Sequence, residues 1–302
     1  MGEFDLIKKI KTIIKSEVIG DDTAPVKIGG KTFLFTNDIL LEDQHFLDYF
    51  PIDNLGWKAV SVNVSDIVAS GGKPKYVLVS LLLPKNKTHL VRAIYQSIKK
   101  ACRFYHCQVI GGNITKSYRL GIDIFMIGET KKFVSRRNAK PGDDVCITGP
   151  IGDARAGLEL LMMKKKLYEP FEKKLIETHL RPTVNIKLAD YLSKIASSTI
   201  DVSDGLSSDV YHLANSSRVR IDINSKKIPV SKELLTFVKK YKKNLLDIVL
   251  IGGEDYQILF TGQKNKIQNY KSSFVGTVAP GRDVFLDGKK IKIKSFDHFS
   301  SS

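Results

Sequence analysis

Apolar residues follow two different spacings, and the two spacings alternate along the chain. They recur every three or four residues from Phe4 to Ile14, from Trp57 to Ala69 and from Leu90 to Tyr105, which predicts helices. They alternate with polar residues from Lys31 to Asp38 and run almost unbroken from Tyr76 to Leu83, which predicts strands. The second half of the chain mixes the same two patterns. A chain of this kind is expected to form two α+β or α/β domains.

A polar stretch separates the two halves. Residues Arg136 to Asp144 read RRNAKPGDD, and their Pro and Gly are typical of a linker. The length of 302 residues is sufficient for two domains of ordinary size. We therefore expect an N-terminal α+β domain over 1–137 and a C-terminal α/β domain over 138–302.

The formal net charge of +16 raises the question of nucleic-acid binding. The lysines occur in short scattered runs, several of them beside Glu, and there is no RNP-like strand, zinc-finger spacing or Arg-rich arm. This pattern favours a solvated surface, and a phosphorylated small substrate would also suit a positive field. Nucleic acid is therefore not expected as a partner, although a basic RNA-associated protein stays an alternative.

The sequence also predicts where the protein works. The longest apolar run, Tyr76 to Leu83, is far shorter than the roughly 20 residues of a membrane span, and no apolar leader precedes it. The three cysteines form no CxxC pair, as expected of reduced thiols. We expect a cytoplasmic protein that does not bind a membrane.

The common phosphate and hydrolase motifs are missing, but acidic and amide residues recur beside glycines at the ends of predicted strands. They are Asp21, Asp22, Asp38, Asp66, Asn113, Asp201, Asp204, Glu254 and Asp255. Each one alone could be a helix cap or a turn residue. Several carboxylates that converge need a cation, and hard oxygen ligands without His or Cys suit Mg²⁺, which in turn suits nucleotide phosphates. The chemistry predicts a Mg²⁺-dependent nucleotide enzyme.

The same motifs carry a family resemblance over essentially the whole chain. They are, in order, GEFDLI, IGDDTA, TND, WKAVSVNVSDIVASGGKPK, GGNITKS, ITGPIGDARAGLELL, HLRP, DVSDGL, GGEDYQILF and FDHF. In this order they resemble the thiamine-monophosphate kinase family, within the superfamily of aminoimidazole-ribonucleotide synthetase-like ATP-binding proteins. The resemblance implies a two-domain fold of that superfamily, in which the N-terminal sheet pairs with that of a second subunit in a homodimer. It also implies several Mg²⁺ ions, ATP as co-substrate and thiamine monophosphate as phosphoryl acceptor.

The resemblance assigns roles to individual residues. The positions implied to hold Mg²⁺ are Asp22, Thr36, Asn37, Asp38, Asp66, Asn113, Asp201 and Asp204. Of these, the ones expected to carry catalysis are Asp38, Asp66, Asp201 and Asp204. The implied ATP positions are Tyr95, Gly112, Asn113, Arg136 and Ser203. The implied acceptor positions are His45, Glu254 and a C-terminal aromatic, Phe299 rather than Phe296.

Two positions depart from the family pattern. Asn37 and Asn113 each stand where many relatives carry a different residue, and Asn113 replaces a carboxylate by an amide. Each amide should weaken a metal position without destroying it. Plainer structural roles stay open as well for Tyr95, His45 and Arg136, as core, surface-loop and linker residues.

The expected mechanism needs no general base, because the acceptor is a phosphate monoester with a second pKa near ~6. We expect direct in-line transfer of the γ-phosphoryl group, assisted by several Mg²⁺ ions, with Arg136 as a phosphate clamp. Among the rivals, an aminoimidazole-ribonucleotide synthetase stays possible, although GEFDLI and the FDHF tail argue against it.

Overall fold

The structure is a computed structural model, and it describes residues 3–16, 19–267 and 272–291. Phe296 and Phe299 lie outside the described residues. In the described part of the chain, no helix is both long and apolar enough to cross a bilayer.

The first half forms a five-stranded sheet with helices on one face. Its elements are α1 (Glu3–Ile14), β1 (Ala24–Ile28), β2 (Lys31–Leu41), α2 (Ile52–Ala69), β3 (Lys73–Leu83), α3 (Val91–Tyr105), β4 (Gln108–Lys116) and β5 (Gly121–Thr130). A 3₁₀ turn at Lys85–Leu90 precedes α3. The strand order is β1-β2-β5-β3-β4, and only the β3–β4 pair is parallel. Strand β4 is therefore an edge strand.

Helix α2 is the central element of the first half. Most of its residues are buried, as expected of a helix enclosed by other elements, and they include polar side chains such as Lys58, Ser61 and Ser65. It packs on β2 and β5, on α3, and on the second half of the chain. Gly56 permits the close approach of α3, because a Cβ there would lie 2.4 Å from the carbonyl oxygen of Ile94.

The second half forms a seven-stranded sheet of order β12-β11-β8-β10-β6-β9-β7, again covered by helices. Its elements are β6 (Asp144–Ile147), α4 (Asp153–Met162), α5 (Pro170–Leu180), α6 (Leu188–Ile195), β7 (Ser198–Asp201), α7 (Leu206–Ser217), β8 (Arg220–Ile223), α8 (Lys232–Tyr241), α9 (Leu245–Ile251), β9 (Ile258–Gly262), α10 (Lys264–Ile267), β10 (Ser273–Ala279), β11 (Val284–Leu286) and β12 (Lys289–Lys290). Among the strand pairs that the structure describes in this sheet, only β8 and β11 are parallel.

The two halves share apolar contacts. The core under the first sheet also includes Val184, Leu188 and Leu192, which lie beyond the linker, so α6 packs against α2. A separate core fills the second sheet and its helices. The boundary between 137 and 138 stays a prediction: the two sheets separate there, whereas the first core crosses it.

One strand extends further than the sequence pattern predicts. A short strand ending at Gly111-Gly112 is the expectation, but β4 continues to Lys116. Gly112 has a φ of 154°, which side-chain-bearing residues rarely adopt, and a Cβ there would lie 1.9 Å from the carbonyl oxygen of Val79. The glycines thus permit close backbone packing rather than a turn. The prediction that Asn113 follows the end of a strand was wrong.

Candidate active site

Four aspartates from separate elements meet between the two halves. Asp22 precedes β1, Asp38 lies within β2, Asp66 is near the end of α2, and Asp201 is the last residue of β7. Carboxylate oxygens of Asp22, Asp66 and Asp201 lie within 4.8 Å of one another, and the carboxyl of Asp38 is close enough to that of Asp66 for each to affect the pKa of the other. Asp38 and Asp66 lie inside a strand and a helix, so the expectation that all of these residues follow strand ends was wrong, although their convergence is as expected.

Hydroxyl side chains hold this carboxylate cluster together. Alternation along β2 places Thr36 and Asp38 on the face that packs against α2. The Thr36 hydroxyl donates to Asp66 Oδ2 at 2.6 Å. The Ser65 hydroxyl donates to Asp201 Oδ2 at 2.8 Å, which joins α2 to the second sheet.

The cluster concentrates negative charge away from solvent. Burial, followed by the neighbouring carboxylates, raises the pKa of Asp66 well above its usual range, and burial also raises the pKa of Asp38. Burial and then the charge of Asp22 raise the pKa of Asp201 to about 8. These carboxyls therefore need protons or a cation to lie so close together. The donor set of carboxylate and hydroxyl oxygens, without His or Cys, fits Mg²⁺.

Arg136 is the cation that the chain itself brings to the cluster. Its Nε donates to Asp22 Oδ1 at 3.0 Å, and a second guanidinium nitrogen also contacts that oxygen. The Arg136 amide donates to Asp21 Oδ1 at 2.7 Å, so Asp21 holds the start of the linker in place. Nearby carboxylates, Asp22 foremost, outweigh burial and raise the pKa of Arg136. The guanidinium therefore stays charged beside the carboxylate cluster.

The loop after β7 forms the next wall. The Ser203 hydroxyl donates to Asp201 Oδ1 at 3.3 Å. Asp204 comes next in the loop, and Gly205 is the N-cap of α7. Asp209 accepts from the Gly205 amide at 3.1 Å, and burial raises its pKa well above the usual range. Sequence reasoning missed Asp209, which lies one helical turn into DVSDGLSSD. A cavity of about 1020 Å³, lined in part by Arg136, Ser203, Asp204 and Asp209, lies against this loop.

The GGED turn is fastened directly to the same loop. The Glu254 amide donates to the Ser203 carbonyl oxygen at 2.8 Å. A Cβ at Gly253 would lie 2.0 Å from that same oxygen, so only glycine permits the contact. Glu254 has a φ of 67°, a left-handed conformation that directs its side chain toward α2.

The Glu254 carboxylate lies between two nitrogen-bearing side chains. Its Oε1 is 2.6 Å from Lys58 Nζ, and its Oε2 is 3.2 Å from His179 Nδ1. Burial alone would raise the pKa of Glu254, but neighbouring cationic groups, Lys58 foremost, outweigh it and lower the pKa. His45 lines a small cavity together with Lys58 and His179, so the structure brings His45 and Glu254 together. Sequence reasoning missed Lys58 and His179; the signal for Lys58 is a charge within a largely apolar helix.

Four other candidate residues lie away from the cluster. Asn37 lies on the opposite face of β2 from Asp38, where its amide nitrogen donates to Asp123 Oδ1 at 2.8 Å. Gly112 and Asn113 lie on the edge strand β4, three strands from β2 and thus about 14 Å away at the usual strand spacing. Tyr95 lies on the neighbouring helix α3, partly buried against the first core.

Comparisons with known proteins show which family the chain resembles. Residues 20–130 match the family described as AIR synthase related protein, N-terminal domain. The chain is 49% identical to thiamine-monophosphate kinase of Aquifex aeolicus, over 99% of this chain and 98% of the relative. It is 31% identical to thiamine-monophosphate kinase of Pyrococcus abyssi, over 97% of this chain and 93% of that one. The solved structure of AaThiL complexed with AMPPCP and TMP superposes with a TM-score of 0.97 at 49% identity, covering 99% of this chain and 97% of the other.

Proposed function

The chain belongs to the thiamine-monophosphate kinase family, and from this we propose that it transfers the γ-phosphoryl group of ATP to thiamine monophosphate, giving thiamine diphosphate. Its fold is that of the AIR synthase related proteins, with two mixed α and β units. The observation that carries the proposal is the convergence of Asp22, Asp38, Asp66 and Asp201 beside Arg136, at the junction of the two halves. A relative of 49% identity was crystallised with AMPPCP and TMP, which supports both substrates.

The carboxylate cluster accounts for the central difficulty of the reaction. Donor and acceptor are both phosphates, so bringing them together concentrates negative charge. Asp38, Asp66, Asp201 and Asp204 would hold Mg²⁺, with Asp22 and Thr36 completing the oxygen donors. Bound Mg²⁺ supplies charge neutralisation and alignment of phosphate oxygens. The role of the chain is to keep these oxygens preorganised, as the Thr36 and Ser65 hydrogen bonds do.

Arg136 and the acceptor phosphate complete the chemistry. The planar guanidinium presents paired donors that match phosphate oxygens. A phosphate monoester with a second pKa near ~6 is largely dianionic at neutral pH, so it attacks without a general base. We propose direct in-line transfer with no covalent intermediate on the enzyme. His45 and Glu254 would recognise the acceptor, together with Phe299 outside the described residues.

The outer face of the first sheet supports a homodimer. It carries exposed apolar side chains that no described element covers, namely Val26, Ile28, Ile39 and Tyr76. On the same face the rings of Phe35 and Phe125 stack at 5.9 Å. Burying such a face against a second copy would be favourable. In a dimer of this kind, Tyr95, Gly112 and Asn113 would serve the site of the second copy, which accounts for their distance from Asp38 within one chain.

The dimer is tested by its dissociation. Tyr76→Glu places a charge on the outer face, whereas Tyr118→Glu is a matched control on a fully exposed loop residue. Sedimentation velocity should show a weakened dimer for Tyr76→Glu only. A monomeric wild type, or equal behaviour of both variants, would contradict the proposal.

The function is tested by a phosphoryl-transfer assay. Purified protein with ATP and Mg²⁺ should convert thiamine monophosphate to thiamine diphosphate, and EDTA should abolish the product. Free thiamine and aminoimidazole ribonucleotide precursors serve as control acceptors. Product from a control acceptor and none from thiamine monophosphate would contradict the proposed substrate without contradicting the fold. A cytoplasmic location stays a prediction from the three free cysteines.

A further inference from the structure

Lys58 is a buried charge whose counter-ion comes from the other half of the chain. It lies within α2 with 3% of its surface exposed. Among the residues that the structure describes, Glu254 is the one carboxylate in an ion pair with it, at 2.6 Å. An ammonium group without a partner would be strongly disfavoured at such a position. The pair therefore fixes the GGED turn against α2.

His179 contacts the same carboxylate from the second half of the chain. It lies near the end of α5 with 1% of its surface exposed, and its Nδ1 is 3.2 Å from Glu254 Oε2. The ring of Phe50 packs edge-on against the imidazole with centroids 5.9 Å apart. Burial and then the charge of Lys58 lower the pKa of His179 to about 3, so the imidazole is neutral. A neutral imidazole that faces a carboxylate carries its proton on the facing nitrogen.

The contacts with Lys58 and His179 are on the buried side of the Glu254 carboxylate, and its other side is open. About a quarter of the Glu254 side chain, 26%, is exposed. Neither Lys58 Nζ nor either imidazole nitrogen has an aligned hydrogen-bond partner within the described ranges. The cavity beside them measures about 20 Å³, which is sufficient for one water molecule and too small for a ring. A ligand therefore reaches the carboxylate from the exposed side, while Lys58 and His179 act on it from within.

We propose that Lys58 and His179 are positioning residues that hold Glu254 as an ionised, oriented carboxylate for an N–H donor of the acceptor. This inference rests on the proposed function, since thiamine monophosphate carries an amino-substituted pyrimidine. Lys58 Nζ lies 2.6 Å from Oε1 and His179 Nδ1 lies 3.2 Å from Oε2, so these close contacts restrict the orientation of the carboxylate and leave its exposed part for a ligand. The group recognised is an amino group on a heterocycle.

The same arrangement connects acceptor recognition to the phosphoryl-transfer site. The Glu254 amide donates a hydrogen bond to the carbonyl oxygen of Ser203, which is two residues after Asp201 in the chain. Lys58 is on the helix that carries Asp66. The orientation of Glu254 therefore sets the position of the bound acceptor relative to the carboxylate cluster.

Steady-state kinetics separate this role from a merely structural one. Lys58→Met should raise the KM for thiamine monophosphate by about 10- to 100-fold, as expected for loss of a charge-assisted contact, with the KM for ATP within about twofold of wild type. The matched control is Lys165→Met, which removes the ion pair with Glu172, 2.8 Å long, on α5 and away from the site. That variant should leave both KM values unchanged.

Variants of His179 and a double-mutant cycle keep the test decisive if Lys58→Met folds poorly. His179→Asn retains an N–H donor near the position of Nδ1 and should behave like wild type, whereas His179→Leu should raise the KM for the acceptor. The effects of Lys58→Gln and Glu254→Gln should be far from additive, because both act through one carboxylate. Equal rises in both KM values, failure of His179→Asn to preserve the acceptor KM, or additive effects would overturn the inference. Wild-type protein that turns over no thiamine monophosphate would instead refute the proposed function.

Discussion

Replacing Asp66 by Asn should make the metal-free protein more stable and the enzyme far less active. The substitution keeps the size of the side chain, and the amide oxygen can still accept the hydrogen bond from Thr36, 2.6 Å long in the wild type. It removes one of the three carboxylates whose oxygens lie within 4.8 Å of each other. Stability of the metal-free protein therefore favours Asn at position 66, whereas catalysis requires Asp.

The expected gain in stability follows from the separation of the charges. Two carboxylates whose oxygens lie within 4.8 Å of each other repel by roughly 3 kcal/mol or more at an effective dielectric constant of ~20. Partial protonation relieves some of this repulsion in the wild type, so the expected gain in unfolding free energy is about 1–3 kcal/mol. For a chain of this size that corresponds to a rise in Tm of roughly 2–6 °C. Loss of a metal position should lower turnover by ~100-fold or more.

Scanning calorimetry at pH 8, in EDTA and in excess Mg²⁺, is the matching measurement. In EDTA the variant should melt above wild type, and Mg²⁺ should raise the Tm of wild type much more than that of the variant. Asp153→Asn is the control: this buried carboxyl also has a pKa raised by burial, but it accepts a hydrogen bond from Ser231 outside the cluster. A variant that melts below wild type in EDTA, or that keeps wild-type turnover, would refute the reasoning.

Three more predictions follow from the same contacts. The pKa of Asp201 is raised to about 8, so the metal-free folded state binds more protons than the unfolded chain between about pH 4 and pH 8. The free energy of unfolding in EDTA should therefore fall as the pH rises through that window. A calorimetric stability that does not change with pH would contradict this prediction. Gly253→Ala would place a Cβ 2.0 Å from the Ser203 carbonyl oxygen, so it should cost about 2 kcal/mol or more of stability in urea unfolding and also reduce turnover. Glu254→Ala should raise the KM for thiamine monophosphate more than that for ATP in the transfer assay, and equal effects would argue against an acceptor role.

The sequence predicted those parts of the candidate site that can be recognised from short stretches of the chain. Asp22, Asp38, Asp66 and Asp201 stand out as a set because oxygen ligands beside glycines are a property of composition and spacing. The structure brings all four together. The face on which Asn37 lies was not predicted, although alternation along β2 could have shown it, since Asn37 and Asp38 are adjacent and must point to opposite faces.

Other features depend on contacts between residues far apart in the chain. The Gly111-Gly112 pair indicates a turn by local preference, yet the backbone of β3 packs against Gly112 and the strand continues. The helices α5, α8 and α9 were not predicted, although the apolar residues of α8 recur at helical spacing and Leu234 and Phe237 lie in the second core.

The amino-acid sequence by itself determined the alternation of strands and helices, the oxygen-rich donor set and the family. These depend on side-chain type and on the order of short motifs. Only the tertiary structure decided that Lys58, Glu254 and His179 form one cluster across the two halves. Burial makes each of these groups costly unless its partner is present, and no local pattern shows which distant residue will provide the compensating charge.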